Sequence, residues 1–336
     1  MTINIINADV FDGLSQLSDE SVNCVVTSPP YWGLRSYLPD GHPDKALEIG
    51  CESTLDAYID RLTKVFREVR RVLRGDGTLW LNIGDSYAGS WGAQSRGDDY
   101  PGTLAYPSKR MLSGRQISAA QRRQSGSGST KRTPGLKPKD LMMTPARLAI
   151  ALQDDGWWLR SEIVWWKPNG MPESCTDRPT AVHEKIFLLS KGRRYWYDAE
   201  AVKEQAFDVG RENGRAGRDE DPRARPPGSN PRALKRLDYT KTGRNLRNVW
   251  DLPVKGFAEA HFATFPPEIP ERCILAGCPV GGTVLDPFGG SGTTGLVADR
   301  LGRSAILIEL NPEYCQMAKR RINGDAPLFA CTEIAQ

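Results

Sequence analysis

The strongest constraint on the fold lies near the C-terminal end. Thr283–Leu285 reads as a short strand, Asp286-Pro287-Phe288-Gly289-Gly290-Ser291-Gly292-Thr293-Thr294-Gly295 as a glycine-rich turn, Leu296–Leu301 as a helix, and Ser304–Ile308 as a second strand ending at Glu309. A strand, a turn without side chains and a helix form the arrangement in which backbone can approach a cofactor closely, because Gly289, Gly290 and Gly292 carry no Cβ to block it. An acid at the end of the next strand is where ribose hydroxyls are commonly bound. Together these features point to an adenosine-bearing cofactor. No lysine follows Gly292, which disfavours an ATP-binding phosphate loop. An NAD enzyme is compatible with this stretch taken alone.

A second stretch has no place in that reading. Cys24-Val25-Val26 is a short apolar run with the marks of a buried strand, and it stops at Thr27-Ser28-Pro29-Pro30-Tyr31-Trp32. Two successive proline rings stiffen the backbone and fix the direction of its carbonyls. A rigid carbonyl beside the Ser28 hydroxyl can accept hydrogen bonds from an NH2 group, and an aromatic ring can stack on the plane that bears it. A proline-stiffened loop packed by aromatics is the plainer alternative.

Between the two stretches the chain alternates strand and helix patterns. Ile3–Ala8 reads as a strand closed by Asp9, Val10–Leu17 as a helix and Thr54–Leu73 as an amphipathic helix; Arg67, Arg70, Arg71 and Arg74 suit that helix's C-terminal end. Gly75-Asp76-Gly77 reads as a turn and Thr78–Ile83 as a buried strand. Beyond a long polar segment come a helix at Leu141–Leu152, a strand at Trp157–Trp166 and another at Ile186–Leu189, with Tyr195–Asp198 as a further edge strand. His183 is read as a structural histidine. Pro270 suits the first turn of a later helix, and Asn311-Pro312 caps the last one, through Ile322. This rhythm predicts an α/β fold around a parallel sheet.

Two segments break it. Pro101–Lys139 contains no acid but includes Arg122, Arg123, Lys131 and Arg132. Asp208–Arg247 is rich in Arg, Gly and Pro, and Arg232, Lys235, Arg236 and Arg244 lie in its basic half. Both fit phosphate contact; a solvated insertion and a disordered stretch are the competing readings. A net charge of only +4 means that any nucleic-acid surface must come from such local clustering. Seven cysteines without a CxxC pair and three histidines argue against a structural zinc site, and no metal is expected. Neither a bilayer-spanning run nor a signal-peptide pattern is present, so a cytoplasmic setting is expected.

Taken together, Thr27–Trp32 and Asp286–Thr294 closely resemble the two signature motifs of the amino-group DNA methyltransferases of bacteria and phages. The catalytic motif precedes the cofactor motif, which is the permuted order of the beta class. The resemblance spans most of the chain outside the two insertions. It implies a seven-stranded, Rossmann-like, circularly permuted methyltransferase sheet, with its first two strands encoded last. It further implies S-adenosyl-L-methionine as methyl donor and double-stranded DNA as substrate. Carried over by residue, Ser28, Pro29, Pro30 and Tyr31 are the catalytic tetrapeptide. Asp286, Phe288, Gly289, Gly290, Ser291, Gly292 and Thr293 line the cofactor pocket. Glu309 binds the ribose, Asp9 approaches the adenine amino group, and Thr264-Phe265 holds the methionine end. The expected organisation is a catalytic half at 1–85, a basic insertion at 86–140, continued core at 141–207, a target-recognition segment at 208–248, a cofactor half at 249–323 and a tail at 324–336.

In this family a serine opening the tetrapeptide, with tryptophan after the tyrosine, is more usual in cytosine-N4 enzymes than in adenine-N6 enzymes. The expected product is therefore N4-methylcytosine, with N6-methyladenine as the alternative and a non-catalytic DNA-binding regulator as a third reading. A separately encoded restriction endonuclease and a homodimeric state are both compatible with the sequence.

Overall fold

The computed structural model describes residues 1–34, 36–38, 41–88, 135–173, 175–204, 243–254, 265–325 and 331–335. The element order is β1 (Thr2–Asn7), α1 (Val10–Ser15), β2 (Val22–Thr27), α2 (Leu55–Val72), β3 (Leu73–Ile83), α3 (Thr144–Asp154), β4 (Trp158–Trp166), β5 (His183–Ser190), β6 (Val249–Asp251), α4 (Glu268–Gly277), β7 (Thr283–Asp286), α5 (Thr293–Arg300), β8 (Ser304–Glu309), α6 (Pro312–Asp325) and β9 (Cys331–Ala335). A short 3-10 helix covers Pro43–Leu47.

The strands form one sheet in the order β6-β4-β5-β3-β2-β7-β8-β1-β9. Its centre, β4 to β1, holds the seven strands expected, with β7 and β8 supplied last by the chain. Two edge strands enlarge it to nine: β6 pairs with β4, and β9 pairs with β1 from within the expected tail. Only β5 runs against its neighbours, pairing antiparallel with β3 and β4. The other strands therefore present their carboxyl ends along one edge. The sheet changes winding direction between β2 and β7, and the crevice at such a point is where α/β folds bind ligands.

Alternation along the strands separates two cores. Val25, Leu79, Leu81, Phe187, Leu189 and Leu285 face α1, α2 and α3. Cys24, Val26, Trp80, Ile186, Leu188 and Val284 face α4, α5 and α6. The α2 stripe is as the periodicity predicts, with Tyr58, Leu62, Val65, Phe66 and Val69 fully buried.

Two local expectations change. The Gly75–Gly77 turn lies inside β3 as a bulge: Val22 pairs with Leu73 and Cys24 with Thr78, so the β3 stretch between the two pairings is longer than the β2 stretch it faces. Tyr195–Asp198 is not a strand. Trp196 N–H donates to the Asp76 carbonyl and Asp198 N–H to that of Ala276, and Tyr197 stacks on Trp80 with ring centroids 6.5 Å apart. Backbone groups spent on a bulge and a helix end cannot form a ladder.

Both long segments leave and return through adjacent backbone. Tyr87 bridges Leu141, Ala88 N–H donates to the Asp140 carbonyl at 2.8 Å, and Lys139 N–H returns to Ala88 at 2.8 Å. Glu204 and Arg244 exchange a pair of backbone bonds at 2.9 Å. Among the described residues, no helix is long and apolar enough to cross a membrane.

Because Phe66 is fully buried in the core between α2 and the sheet, Phe66→Ala is expected to cost about 3–5 kcal/mol. A urea melt should show this as a lowered midpoint at unchanged slope.

Candidate active site

A cavity of about 490 Å³ opens at the carboxyl edge of the sheet, over the switch point. Ser28, Pro29, Pro30 and Tyr31 line it beside Asp9, Phe265, Asp286, Phe288, Gly289, Gly290, Ser291, Thr293 and Glu309. The two motifs, far apart in sequence, thus share one space. Gly292 lies just outside the lining: it stands before α5 with φ +78°, where an added Cβ would sit 2.7 Å from that of Ala318. Thr264, Arg122, Arg123, Lys131, Arg132, Arg232, Lys235 and Arg236 lie outside the described residues. Arg244 is held by Glu204 at 2.9 Å, alongside Arg247 at 2.8 Å, so its guanidinium clamps the base of the second segment.

The glycine-rich turn is tied down by carboxylates. Asp286 accepts from Thr27 Oγ1 and Thr294 Oγ1, each at 2.7 Å, and from Phe288 N–H at 3.1 Å. Glu309 accepts from Gly290 N–H and Asn311 N–H, each at 2.8 Å and each on a different oxygen. The Leu310 N–H also favours the anion, and with about four acceptor sites on the two oxygens the carboxylate keeps capacity for a further donor such as a ribose hydroxyl. Asp9 caps α1 through Oδ1, accepting from Phe11 N–H at 2.9 Å. An aromatic ring at Phe288, backbone at Gly289–Gly290 and the acids Asp9 and Glu309 make a pocket suited to an adenosine group.

Beneath the Ser28–Trp32 turn lies a polar network that sequence reading missed. Tyr31 O–H donates to Glu184 Oε2 at 2.7 Å. Asn82 Nδ2 donates to the same oxygen at 2.9 Å and to Tyr31 at 3.2 Å, and stands 3.4 Å from Ser28 Oγ. Lys167 pairs with Glu184 Oε1. Since a carboxylate only accepts and Tyr31 spends its proton on it, the Asn82 amide must present nitrogen to both. Gly84 follows β3 under the Tyr31 ring, where a Cβ would stand 2.8 Å from Cε2. The turn is held from the other side by Tyr58 O–H, which donates to the Pro30 carbonyl at 2.8 Å, and by Trp32 Nε1, which donates to the Glu52 carbonyl at 2.8 Å. Trp32 is 4% exposed and belongs to the core.

A DNA methylase family model matches residues 22–320. The chain belongs to this N6/N4 DNA methylase family. The Type II methyltransferase M.SmaI of Serratia marcescens is 43% identical over 321 residues, covering 95% of this chain and 90% of that protein. M.Cfr9I of Citrobacter freundii, also a Type II methyltransferase, is 42% identical over 322 residues, covering 96% and 88%. Among solved structures, the cytosine-N4-specific PvuII DNA methyltransferase matches with a TM-score of 0.59 at 17% identity, over 99% of this chain and 95% of that one. A Thermus thermophilus protein described as a DNA modification methylase, TTHA0409, in complex with S-adenosyl-L-methionine, matches at 0.55 and 24% identity over 100% of both chains. The methylase takes its methyl group from S-adenosyl-L-methionine and delivers it to DNA.

In this DNA methylase, burial opposes the charged form of the cofactor-side acids. It pushes the Asp286 carboxyl up to about 7, although the two threonine hydroxyls and Phe288 N–H favour the anion. Glu309 is raised for the same reason against its own N–H donors. Burial, then the nearby Glu184 charge, holds the Tyr31 phenol well above its usual range. Asn82 could have been noticed as a polar residue inside the apolar run Leu79-Trp80-Leu81-Asn82-Ile83. Glu184 and Lys167 carry no such signal, because the hairpin that delivers them is a tertiary fact.

A folded Asp286 that keeps its proton near pH 6, where the unfolded chain has lost it, contributes stability at low pH that disappears as pH rises through about 7. In urea melts of the ligand-free methylase, the advantage of the parent over Asp286→Asn is therefore expected to shrink between about pH 5 and pH 8; growth over that window would contradict it. Glu184→Ala removes the acceptor that orients Tyr31 and Asn82. A fall in kcat on the order of tenfold is expected, with cofactor affinity within about twofold and most activity regained in Glu184→Gln.

Proposed function

We propose that this methylase transfers the methyl group to the exocyclic N4 amine of a cytosine extruded from duplex DNA at a specific sequence. The observation that carries the reading is the shared cavity, which sets Ser28 and Pro29 across from the Phe288–Ser291 turn and Glu309. Asp286, Phe288, Gly289, Gly290, Ser291 and Thr293 form the cofactor wall, Glu309 holds the ribose, Asp9 the adenine amino group, and Thr264-Phe265 the methionine end. When bound there, the cofactor supplies an electrophilic sulfonium methyl.

The chain's own groups do the rest. An exocyclic amine is a poor nucleophile because its lone pair is delocalised into the ring. Ser28 Oγ and the Pro29 carbonyl accept its two N–H bonds, which favours a pyramidal nitrogen with a directed lone pair. The proline pair keeps those acceptors still, so proximity and orientation contribute much of the rate. Tyr31 stacks on the extruded base, its ring held by Glu184. Methylation at the ring carbon would require a cysteine nucleophile in the turn; Cys24 is instead fully buried in the opposite core.

Cytosine is favoured over adenine by Ser28 at the first motif position and Trp32 after the tyrosine, and the PvuII enzyme of similar fold is named for that base. Adenine N6 could use the same two acceptors and is the alternative. The 208–248 segment is assigned target recognition. The 86–140 insertion is the second candidate, since its stem begins one residue after Asp85, which lines the cavity. The Type II names of the relatives support a restriction–modification pairing with a separately encoded endonuclease in the cytoplasm.

DNA treated with the protein and labelled cofactor is expected to yield N4-methylcytosine on nucleoside mass spectrometry. Ser28→Ala should lower turnover at least about tenfold while leaving cofactor affinity nearly unchanged. N6-methyladenine alone would transfer the reading to adenine. Modification-sensitive sequencing of the same DNA maps the site.

A further inference from the structure

Met171 is 86% exposed, more than any other large apolar residue among those described. It sits in the 167–182 connection between β4 and β5, a length at which loops without secondary structure are usually functional. The connection is tightly braced. Lys167 N–H donates to the Val182 carbonyl at 2.8 Å, closing its base. Asn169 exchanges two bonds with the Val254 backbone, at 2.8 and 2.7 Å. Arg178 pairs with Glu173 at 2.6 Å and lies 3.7 Å over the Tyr87 ring, and Lys139 pairs with Asp177 at 2.7 Å. Both of the last two contacts fasten the connection to the stem of the basic insertion. A fixed loop that holds an apolar side chain in water is displaying it.

What it is displayed to follows from position. Lys167, Glu173, Ala181 and Val254 line the same cavity as Ser28 and Tyr31. Met171 is two residues from Glu173, so its Cα lies within about 7 Å of that of a residue lining the cavity. Pro172 beside it is also exposed. Methionine and proline are among the apolar side chains that enter between base steps, and an unbranched thioether is thin, adaptable and polarizable against aromatic faces. We propose that Met171, with Pro172, is the wedge that enters the duplex and occupies the space left by the extruded base. This rests on the reading that the target is flipped out of duplex DNA.

The test compares the parent, Met171→Ala and Met171→Leu on two duplexes carrying the mapped site, one fully paired and one with an abasic position opposite the target base. Without a partner the target has no base pair to break, so its extrusion depends less on a wedge. On the paired duplex, kcat/KM of Met171→Ala is expected to fall on the order of tenfold or more. On the abasic-opposed duplex it should come within about twofold of the parent, and Met171→Leu should stay near the parent on both. Equal losses of Met171→Ala on the two duplexes, or no loss on either, would overturn the wedge. Failure of the parent, with cofactor, to bind the abasic-opposed duplex more tightly than the paired one would instead overturn the base-flipping reading beneath it.

Discussion

Asp286 is 2% exposed and receives hydroxyls from both sides of the switch point, Thr27 at the end of β2 and Thr294 in the first turn of α5. A buried carboxylate without partners would be strongly unfavourable, and three donors reduce that penalty. The arrangement fastens the strand that bears the Ser28 turn to the strand that bears the glycine-rich turn, where they meet through only two residue pairs, Cys24 with Val284 and Val25 with Leu285. The cavity exists because these strands lie side by side while the helices that follow them, α2 and α5, leave to opposite faces.

Stiffness and aim have different sources in the Ser28–Trp32 turn. Pro29 and Pro30 restrict the backbone locally. Its direction in space comes from side chains far away in sequence: Tyr58 on the Pro30 carbonyl, Glu184 on the Tyr31 phenol, and Asn82 between them. A turn rigid in itself still has to be pointed into the cavity, and that pointing belongs to β3, β5 and α2. Lys167 balances the Glu184 charge, which allows an anion to stand beside a phenol under the site.

Long insertions coexist with this arrangement because their ends are zipped. The Tyr87–Leu141 and Glu204–Arg244 bridges bring each departure beside its return. The entropy of closing a loop grows only slowly with its length once the ends are fixed, so the core tolerates long segments at these two points. The first point adjoins the cavity and the 167–182 connection.

The order of strands and helices was legible because it depends on local pattern: apolar runs bounded by turns, a 3.6-residue stripe in α2, and glycines where backbone must come close. The two motifs were legible for the same reason, each being a contiguous run with its own chemistry. Local pattern did not reveal that Gly75–Gly77 bulges within a continuing strand, that Tyr195–Asp198 gives its backbone bonds to that bulge and to the end of α4, or that β6 and β9 add edges; each depends on which hydrogen-bonding partner lies alongside. The linear chain specifies the element types, the permuted motif order and the chemical groups at Ser28, Pro29 and Glu309. The assembled sheet specifies that Glu184, Asn82 and Lys167 stand beneath Tyr31, because residues 184 and 31 become neighbours only when an antiparallel strand is laid beside β3.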